Sequence, residues 1–370
     1  MQSSTTRDIR INLKEFSGAM GDFGTLIPLM AGYIVVCGLN PASLLVTVGL
    51  ISIITGLVFK LPVPIEPMKV IAVVAIAQVW TPSMVYASGF AMGVVWLILS
   101  LTGLIEGISR YTPKPVVRGI QAALGVMLAM QAFNLLSSWW LLGILAIVIA
   151  LLLKNNRYVP GILLLVILGI AIAFYQGLPG QAAVISFTMP ELTVFDPGDL
   201  WAVMLLAGFA QIPLTATNAV LSTSSLISSY WPGQKAEPKK LSLSIGLANL
   251  GLPFLGGMPI CHGAGGLAAK YYFGARTGGA NIAIGTVEIL CGLFLASQVA
   301  LIFAHFPEAI IGAMLILIGL ELVKFAGDVN RNWEIAPLAI TILLSVIFNM
   351  AIGFIAGLTT YYLLQRIINK

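Results

Sequence analysis

The scarcity of charged side chains constrains this chain more than any other feature. Only 9% of its 370 residues are Asp, Glu, Lys or Arg, and 59% are apolar. A soluble domain carries roughly a quarter charged residues to cover its surface. We therefore expect an all-α polytopic membrane protein, because helices satisfy their own backbone hydrogen bonds in lipid. This class excludes a cytosolic enzyme, a nucleic-acid-binding protein and a disordered chain.

Apolar runs broken by Pro, Gly and charges predict fourteen spanning helices, and one helix needs about 20 residues to span a membrane. The first seven cover residues 18–37, 42–60, 67–80, 84–108, 115–135, 138–153 and 160–176. The last seven cover residues 200–224, 239–254, 263–274, 279–303, 308–324, 334–348 and 350–367. The polar N-terminal residues do not resemble a cleavable signal peptide, so we expect the first helix to be retained.

The placement of basic residues supports this count. With the N-terminus in the cytoplasm, every Lys and Arg but one is assigned to the predicted cytoplasmic side, as the positive-inside rule requires. These residues are Arg7, Arg10, Lys14, Lys60, Arg110, Lys114, Arg118, Lys154, Arg157, Lys235, Lys239, Lys240, Lys270, Arg276, Lys324, Arg331, Arg366 and Lys370. Only Lys69 fits neither side. The pattern predicts a multi-pass protein of a bacterial-type cytoplasmic membrane with both termini inside.

Weak internal similarity relates the two halves of the chain. Residues 61–65 (LPVPI) resemble 256–260 (GGMPI), and 113–117 (PKPVV) resemble 307–311 (PEAII). Seven spans per half give the halves opposite orientations. We therefore predict an inverted repeat, with residues 1–176 as the first half, 177–198 as an extracytoplasmic linker and 199–370 as the second half. Inverted repeats are typical of secondary transporters.

The third and tenth spans are interrupted at matching positions. Residues 62–67 (PVPIEP) contain three prolines, which exclude a helix interior, and residues 258–266 (MPICHGAGG) are rich in glycine. Both stretches predict a short extended segment followed by a half-helix. Two helix N-termini facing each other would form an anion site, and Gly263, Gly265 and Gly266 would let a ligand approach the backbone. The alternative is that both spans are merely kinked helices.

Three motifs carry a resemblance to a known family. They are residues 21–25 (GDFGT), the pattern Pro64-x-x-Pro67-Met68-Lys69, and residues 258–268 (MPICHGAGGLA) continuing to 272–278 (YFGARTG). The chain resembles the molybdate transporter family allied to the SulP sulfate permeases over nearly its whole length. One departure is Glu66, where we expect the family often to carry Gln. A carboxylate beside an anion site is unexpected. Either this chain departs from the family in how it binds its substrate, or Glu66 is not ionised.

The resemblance implies further properties. It implies the seven-plus-seven fold shared with nucleobase transporters, with spans 1–4 and 8–11 as a core domain and spans 5–7 and 12–14 as a gate domain. It also implies transport of molybdate, tungstate or sulfate, and a homodimer formed through the gate domain. No soluble C-terminal regulatory domain is expected after the last helix.

Ionisable residues inside predicted spans are candidate functional groups, since each is costly in lipid. Lys69 either attracts the substrate or pairs with Glu66. Asp22 either carries a coupling proton or caps the helix that follows. Glu288 suits a proton carrier, because burial disfavours a charged carboxylate, or it is a neutral acid bonded between helices. His262 either contacts the substrate or caps backbone.

Uncharged donors complete the predicted site. Thr25, Gln211, Thr215 and Asn218 either hydrogen-bond oxyanion oxygens or hold helices together. The predicted substrate-binding set is Thr25, Pro67, Met68, Lys69, Gln211, Thr215, His262, Gly263, Ala264, Gly265 and Gly266. Asp22, Glu66 and Glu288 are the proton-coupling candidates. Three scattered cysteines and two histidines provide no ligand cluster, so neither a metal nor a cofactor is expected.

These features favour a secondary active importer of a tetrahedral oxyanion, driven by a coupling proton or other ion. One alternative keeps the fold but transports a nucleobase or small carboxylate bound by Glu66 or Glu288. Another is a passive anion channel. A membrane-embedded enzyme is disfavoured, because the sequence suggests no nucleophile–base pair or metal cluster.

Overall fold

Helices make up nearly all regular structure of the chain. The computed structural model describes residues 9–153, 161–177, 185–234, 236–329 and 331–368. The helices of these residues are α1 (Leu13–Val35), α2 (Pro41–Phe59), α3 (Lys69–Ala77), α4 (Pro82–Thr102), α5 (Ile105–Tyr111), α6 (Lys114–Leu136), α7 (Trp140–Leu152), α8 (Gly161–Gly177), α9 (Asp199–Tyr230), α10 (Pro238–Gly251), α11 (Ala264–Phe273), α12 (Gly279–Phe294), α13 (Ala296–Ala304), α14 (Glu308–Lys324), α15 (Ile335–Ile347) and α16 (Met350–Ile368). The strands are β1 (Glu66–Pro67) and β2 (Ile260–Cys261).

Each predicted span contains a helix, but the helices differ in length. Within the described residues, seven are long and apolar enough to cross a membrane, or eight if the bent pair α12–α13 is one span. The chain is therefore a mostly helical, multi-pass membrane protein. The count of fourteen crossings stays a prediction.

Two predicted spans are not single continuous helices. The fourth span, 84–108, ends at Thr102, because Gly103 adopts a left-handed φ of 72° and donates a hydrogen bond to the Leu99 carbonyl. The separate helix α5 follows. The eleventh span, 279–303, is broken between α12 and α13 by a bend of 83°. The chain leaves helical geometry there at Leu295 (φ −121°, ψ 13°).

Part of the predicted topology falls outside the described residues. This applies to residues 178–184 of the linker. It also applies to the basic residues Arg7, Lys154, Arg157, Lys235 and Lys370.

The two short helices α3 and α11 each follow an extended segment, as predicted. The segments pair antiparallel, with Glu66 opposite Cys261 and Pro67 opposite Ile260. The Met68 amide extends the pairing by donating to the Pro259 carbonyl at 2.9 Å. A nine-residue helix such as α3 is about 14 Å long. The residues that lead into both short helices, 61–68 and 257–263, are buried, so α3 and α11 both begin inside the protein.

Asn249 of α10 holds β2 in place. Its side chain is fully buried. Its Oδ1 accepts from the Ile260 amide at 2.8 Å, and its Nδ2 donates to the Ile260 carbonyl at 2.8 Å. The side-chain amide thus replaces a neighbouring strand for this residue.

Asn249→Ala is expected to lower the free energy of unfolding by about 2–3 kcal/mol, because both backbone groups of Ile260 would be buried without partners. Thermal unfolding of the purified protein would measure the loss. The exposed Asn332→Ala is the control and should leave the melting temperature unchanged. Equal melting temperatures for the two variants would contradict this account.

Candidate functional site

The N-terminus of α3 is closed by a side chain from α9. Gln211 Oε1 accepts hydrogen bonds from the amides of Val70 at 2.7 Å and Ile71 at 3.4 Å. Gln211 Nε2 donates to the Thr215 hydroxyl at 2.6 Å, which orients the amide. Both side chains were predicted to bind substrate. The structure buries both and uses them to cap α3, and their contact with substrate stays a prediction.

The N-terminus of α11 is open by comparison. Gly263 precedes the helix in an extended conformation and provides no side-chain cap. Within the described residues, no protein acceptor hydrogen-bonds the amides of Ala264, Gly265 and Gly266. A Cβ at Gly265 would meet no heavy atom within 4 Å. The first turn of α11 therefore presents free donors next to open space.

The other two glycines of this turn accommodate the Glu66 carboxylate. A Cβ at Gly263 would collide with Glu66 Oε2, and a Cβ at Gly266 would collide with Oε1. Any larger side chain at either position would collide with the carboxylate. Of the three glycines predicted to admit a ligand, only Gly265 has open space beside it.

Lys69 forms the predicted pair with Glu66. Its Nζ lies 2.9 Å from Glu66 Oε2. The Lys69 side chain is 17% exposed and that of Glu66 is 1% exposed. Because Glu66 is buried and Lys69 is not, the ammonium group is the accessible member of the pair.

A cavity of about 760 Å³ brings several predicted residues together. Thr25, Lys69, Ala264 and Gly265 line it, together with Asn218 from α9. The lining extends to the C-terminal ends of α7 and α14. The remaining predicted substrate-binding residues do not line this cavity: Pro67, Met68, Gln211, Thr215, His262, Gly263 and Gly266. The predicted substrate-binding residues therefore fall into two groups, those that line the cavity and those that lie outside its lining.

The α9 wall of the cavity is irregular. Pro213 lies inside the helix and has no amide to donate. The following residues Thr215–Ser222 form wider π-helical turns, which include Asn218. Such turns are frequent at functional sites.

Both ring nitrogens of His262 contact protein atoms. Nδ1 lies 3.0 Å from the Pro64 carbonyl, and Nε2 lies 3.0 Å from the Ser244 hydroxyl. The side chain is completely buried. His262 therefore links β2 to the segment before β1 and to α10.

Lys270 corrects the predicted topology. It was assigned to a cytoplasmic connection, but it is buried in α11 and its Nζ lies 3.0 Å from Asp22 Oδ2. It also donates to Asn281 Oδ1 at 3.1 Å. The capping alternative for Asp22 is wrong, because its side chain makes no cap hydrogen bond. Spacing of three and four residues places Lys270 on the same face of α11 as the buried Gly266 and Leu267, which is the signal that sequence reasoning missed.

Glu288 lies on α12, away from the cavity lining. The Ser52 side chain of α2 lies beside its carboxyl group. The carboxyl oxygen Oε2 is buried without a hydrogen-bond partner among the described residues. The arrangement holds α2 and α12 together, and its role in proton coupling stays a prediction.

Sequence reasoning also missed Gln121 of α6, which lines the same cavity as the first turn of α11. Its Oε1 accepts from Arg118 Nη1 at 2.9 Å, and Arg118 Nη2 contacts Asp328 Oδ2 at 2.6 Å. Gln121 follows Arg118 by one helical turn, but no local signal connects either residue to α11.

Comparison with known sequences identifies relatives of the chain. The family model described as "Molybdate transporter of MFS superfamily" matches residues 14–128 and 203–322. Molybdate transporter 1 of Arabidopsis thaliana is 30% identical, covering 96% of this chain and 89% of that protein. The putative sulfate transporter YvdB of Bacillus subtilis is 24% identical, covering 90% of this chain and 69% of that protein. These relatives are named as transporters, not enzymes.

Solved structures share the fold. SLC26A9 superposes with a TM-score of 0.74 at 12% identity, covering 95% of this chain and 65% of that one. The transmembrane domain of the cyanobacterial bicarbonate transporter BicA superposes with a TM-score of 0.68 at 15% identity, covering 95% of this chain and 98% of that one.

Proposed function

The chain belongs to the molybdate transporter family, and from this premise we propose that it imports molybdate, or a related tetrahedral oxyanion, by secondary active transport. The observation that carries the proposal is the open first turn of α11, which faces a cavity beside the Lys69 ammonium group. Free backbone amides, the helix dipole and a cation all favour an anion. The likeness to a putative sulfate transporter supports tetrahedral oxyanions as the substrate class.

In the proposed site, the oxyanion lies against Gly265. The amides of Ala264 and Gly265 donate to its oxygens, and Lys69 supplies positive charge. Thr25 and Asn218 add a hydroxyl and an amide from the facing helices. Gln211, Thr215 and His262 position these groups, together with Pro67 and Met68, which are buried immediately before α3.

The proposed architecture has fourteen crossings in two inverted repeats, residues 1–176 and 199–370, joined by an extracytoplasmic linker, 177–198. Helix packing supports it. Gly49 of α2 contacts Gly285 of α12, and Gly93 of α4 contacts Leu250 of α10. These helices are spans 2, 11, 4 and 9, respectively. In an inverted repeat, span 2 corresponds to span 9 and span 4 to span 11, so the contact between spans 2 and 11 is equivalent to the contact between spans 9 and 4. The strand pair and the two half-helices obey the same relation.

Transport is proposed to alternate access by moving a core domain (spans 1–4 and 8–11) against a gate domain (spans 5–7 and 12–14). The cavity supports this division, because its lining combines residues of α1, α3, α9 and α11 from the proposed core with residues of α6, α7 and α14 from the proposed gate. Asp22, Glu66 and Glu288 are the proposed carriers of a coupling proton.

We further propose a bacterial-type cytoplasmic membrane, with both termini in the cytoplasm, and a homodimer formed through the gate domain. The distribution of Lys and Arg supports the orientation. The cavity, which reaches Lys324 near a predicted cytoplasmic connection, would then open to the cytoplasm.

Reconstituted protein is expected to accumulate labelled molybdate above equilibrium under an inward proton gradient, with competition by tungstate and sulfate. Lys69→Met should reduce uptake at least about tenfold, because a charge-assisted contact to the oxyanion is lost. The exposed Lys239→Met is the control for the loss of one positive charge.

Three outcomes would contradict the proposal. Uptake that never exceeds equilibrium would indicate a channel. Thermal stabilisation by uracil or xanthine, but not by molybdate, would favour a nucleobase transporter. Equal uptake by the Lys69→Met and Lys239→Met variants would show that Lys69 does not bind the oxyanion.

A further inference from the structure

The open turn of α11 already lies against an anion that belongs to the protein. The Glu66 carboxylate is 99% buried and reaches across Gly263 and Gly266. Its Oε2 contacts Lys69, whereas Oε1 has no hydrogen-bond partner among the described residues. A carboxylate beside a helix N-terminus is favoured by the helix dipole. This carboxylate and an oxyanion at Gly265 would therefore use the same two sources of positive charge.

We propose that Glu66 is a resident anion that competes with the transported oxyanion for Lys69 and for the first turn of α11. The proposal rests on the proposed function and adds a residue that sets the affinity of the site. While Lys69 is bound to Glu66, an arriving oxyanion meets a neutral ion pair. To bind, it must draw the ammonium group toward the cavity and withstand repulsion from the carboxylate behind it.

The geometry allows Lys69 to exchange partners. In the described part of the chain its Nζ has one partner, Glu66, and its side chain is partly exposed to the cavity. Lys270 differs, because it is enclosed between Asp22 and Asn281 and its side chain is only 2% exposed. Of these two ion pairs, only the one with Lys69 has a cation that borders the cavity and can turn toward the substrate.

The other groups around Glu66 do not replace Lys69. Asp22 of α1 lies within electrostatic range, but Lys270 of α11 neutralises it. Cys261 faces Glu66 across the strand pair, and His262 is engaged with Pro64 and Ser244. The charge balance at the open turn therefore depends on Glu66 and Lys69.

Glu66→Gln removes the competing charge and keeps the shape of the side chain. We expect its Kd for molybdate, measured by isothermal titration calorimetry, to fall at least about tenfold. Perrhenate is a tetrahedral monoanion and tests the role of charge. Its Kd should fall by a smaller factor, because the repulsion removed scales with ligand charge. Glu191→Gln, an exposed change of the same charge in the outer segment, should leave both values unaltered.

The outcomes separate this inference from the proposed function. Wild-type protein that does not bind molybdate would overturn the proposed function itself. If the wild-type protein binds molybdate but the Kd of Glu66→Gln is unchanged or higher, the proposed competition by Glu66 is wrong while the proposed function stands. The same holds if the Kd values for molybdate and perrhenate fall by the same factor. Glu66→Ala serves the same purpose if Gln is not tolerated, since it leaves Gly263 and Gly266 more room. If neither variant folds, Glu66 is required for stability, and the inference that it competes with the substrate is rejected.

Discussion

Gly265→Val is expected to abolish most molybdate uptake while the protein remains folded. The added side chain would project into open space beside the free amides of α11, where no protein atom lies within 4 Å. It would occupy the volume proposed for the oxyanion. Overpacking of about 1–3 kcal/mol corresponds to roughly a five- to 150-fold loss of binding. The fold should tolerate the change, because Gly is itself a poor helix former.

Gly251→Val is the matched control for this prediction. Gly251 also lies in a helix, at the end of α10, and a Cβ there meets nothing within 4 Å. Uptake into proteoliposomes and the melting temperature should be measured for both variants. Full uptake by folded Gly265→Val would place the oxyanion elsewhere.

Lys270→Met is expected to cost about 3–5 kcal/mol of stability, the largest loss we predict for a single side chain. The substitution leaves the Asp22 carboxylate buried without its cation. It also removes a hydrogen bond to Asn281, whose amide supports the Val63 carbonyl before β1. Unfolding in detergent, followed by heating or by denaturant, would measure the loss.

Two comparisons test the cause of that loss. Asp22→Asn combined with Lys270→Met should recover most of the stability, because no charge then remains unpaired. Lys324→Met breaks an ion pair with Glu321 whose two side chains are more than half exposed, and should cost less than about 1 kcal/mol. Equal losses for Lys270→Met and Lys324→Met would show that burial of the pair is unimportant.

The two extended segments and their half-helices followed from local chemistry. Three prolines in residues 62–67 have no amides to donate, so a helix there was excluded before any packing was known. The pairing of Glu66 with Lys69 was one of the two alternatives given for Lys69, since the two residues are three positions apart, a spacing that places side chains on one face of a helix. Both features depend on residues that are close in sequence.

The sequence did not predict that the N-terminus of α3 is capped by a side chain while the N-terminus of α11 is left uncapped. The cap on α3 comes from Gln211, 141 residues away from Val70. The burial of Lys270 depends on Asp22, which lies in another helix of the chain. A lysine near Arg276 resembles any cytoplasmic lysine until its helix face is known.

The sequence by itself determined that this chain belongs in a membrane and where two of its spans must break. Those properties follow from composition and from the restrictions that proline places on its own backbone. Only the tertiary structure decided which helix start remains open and which charges neutralise each other. Such choices depend on contacts between distant segments, where a single side chain either caps a helix or leaves its amides free for a ligand.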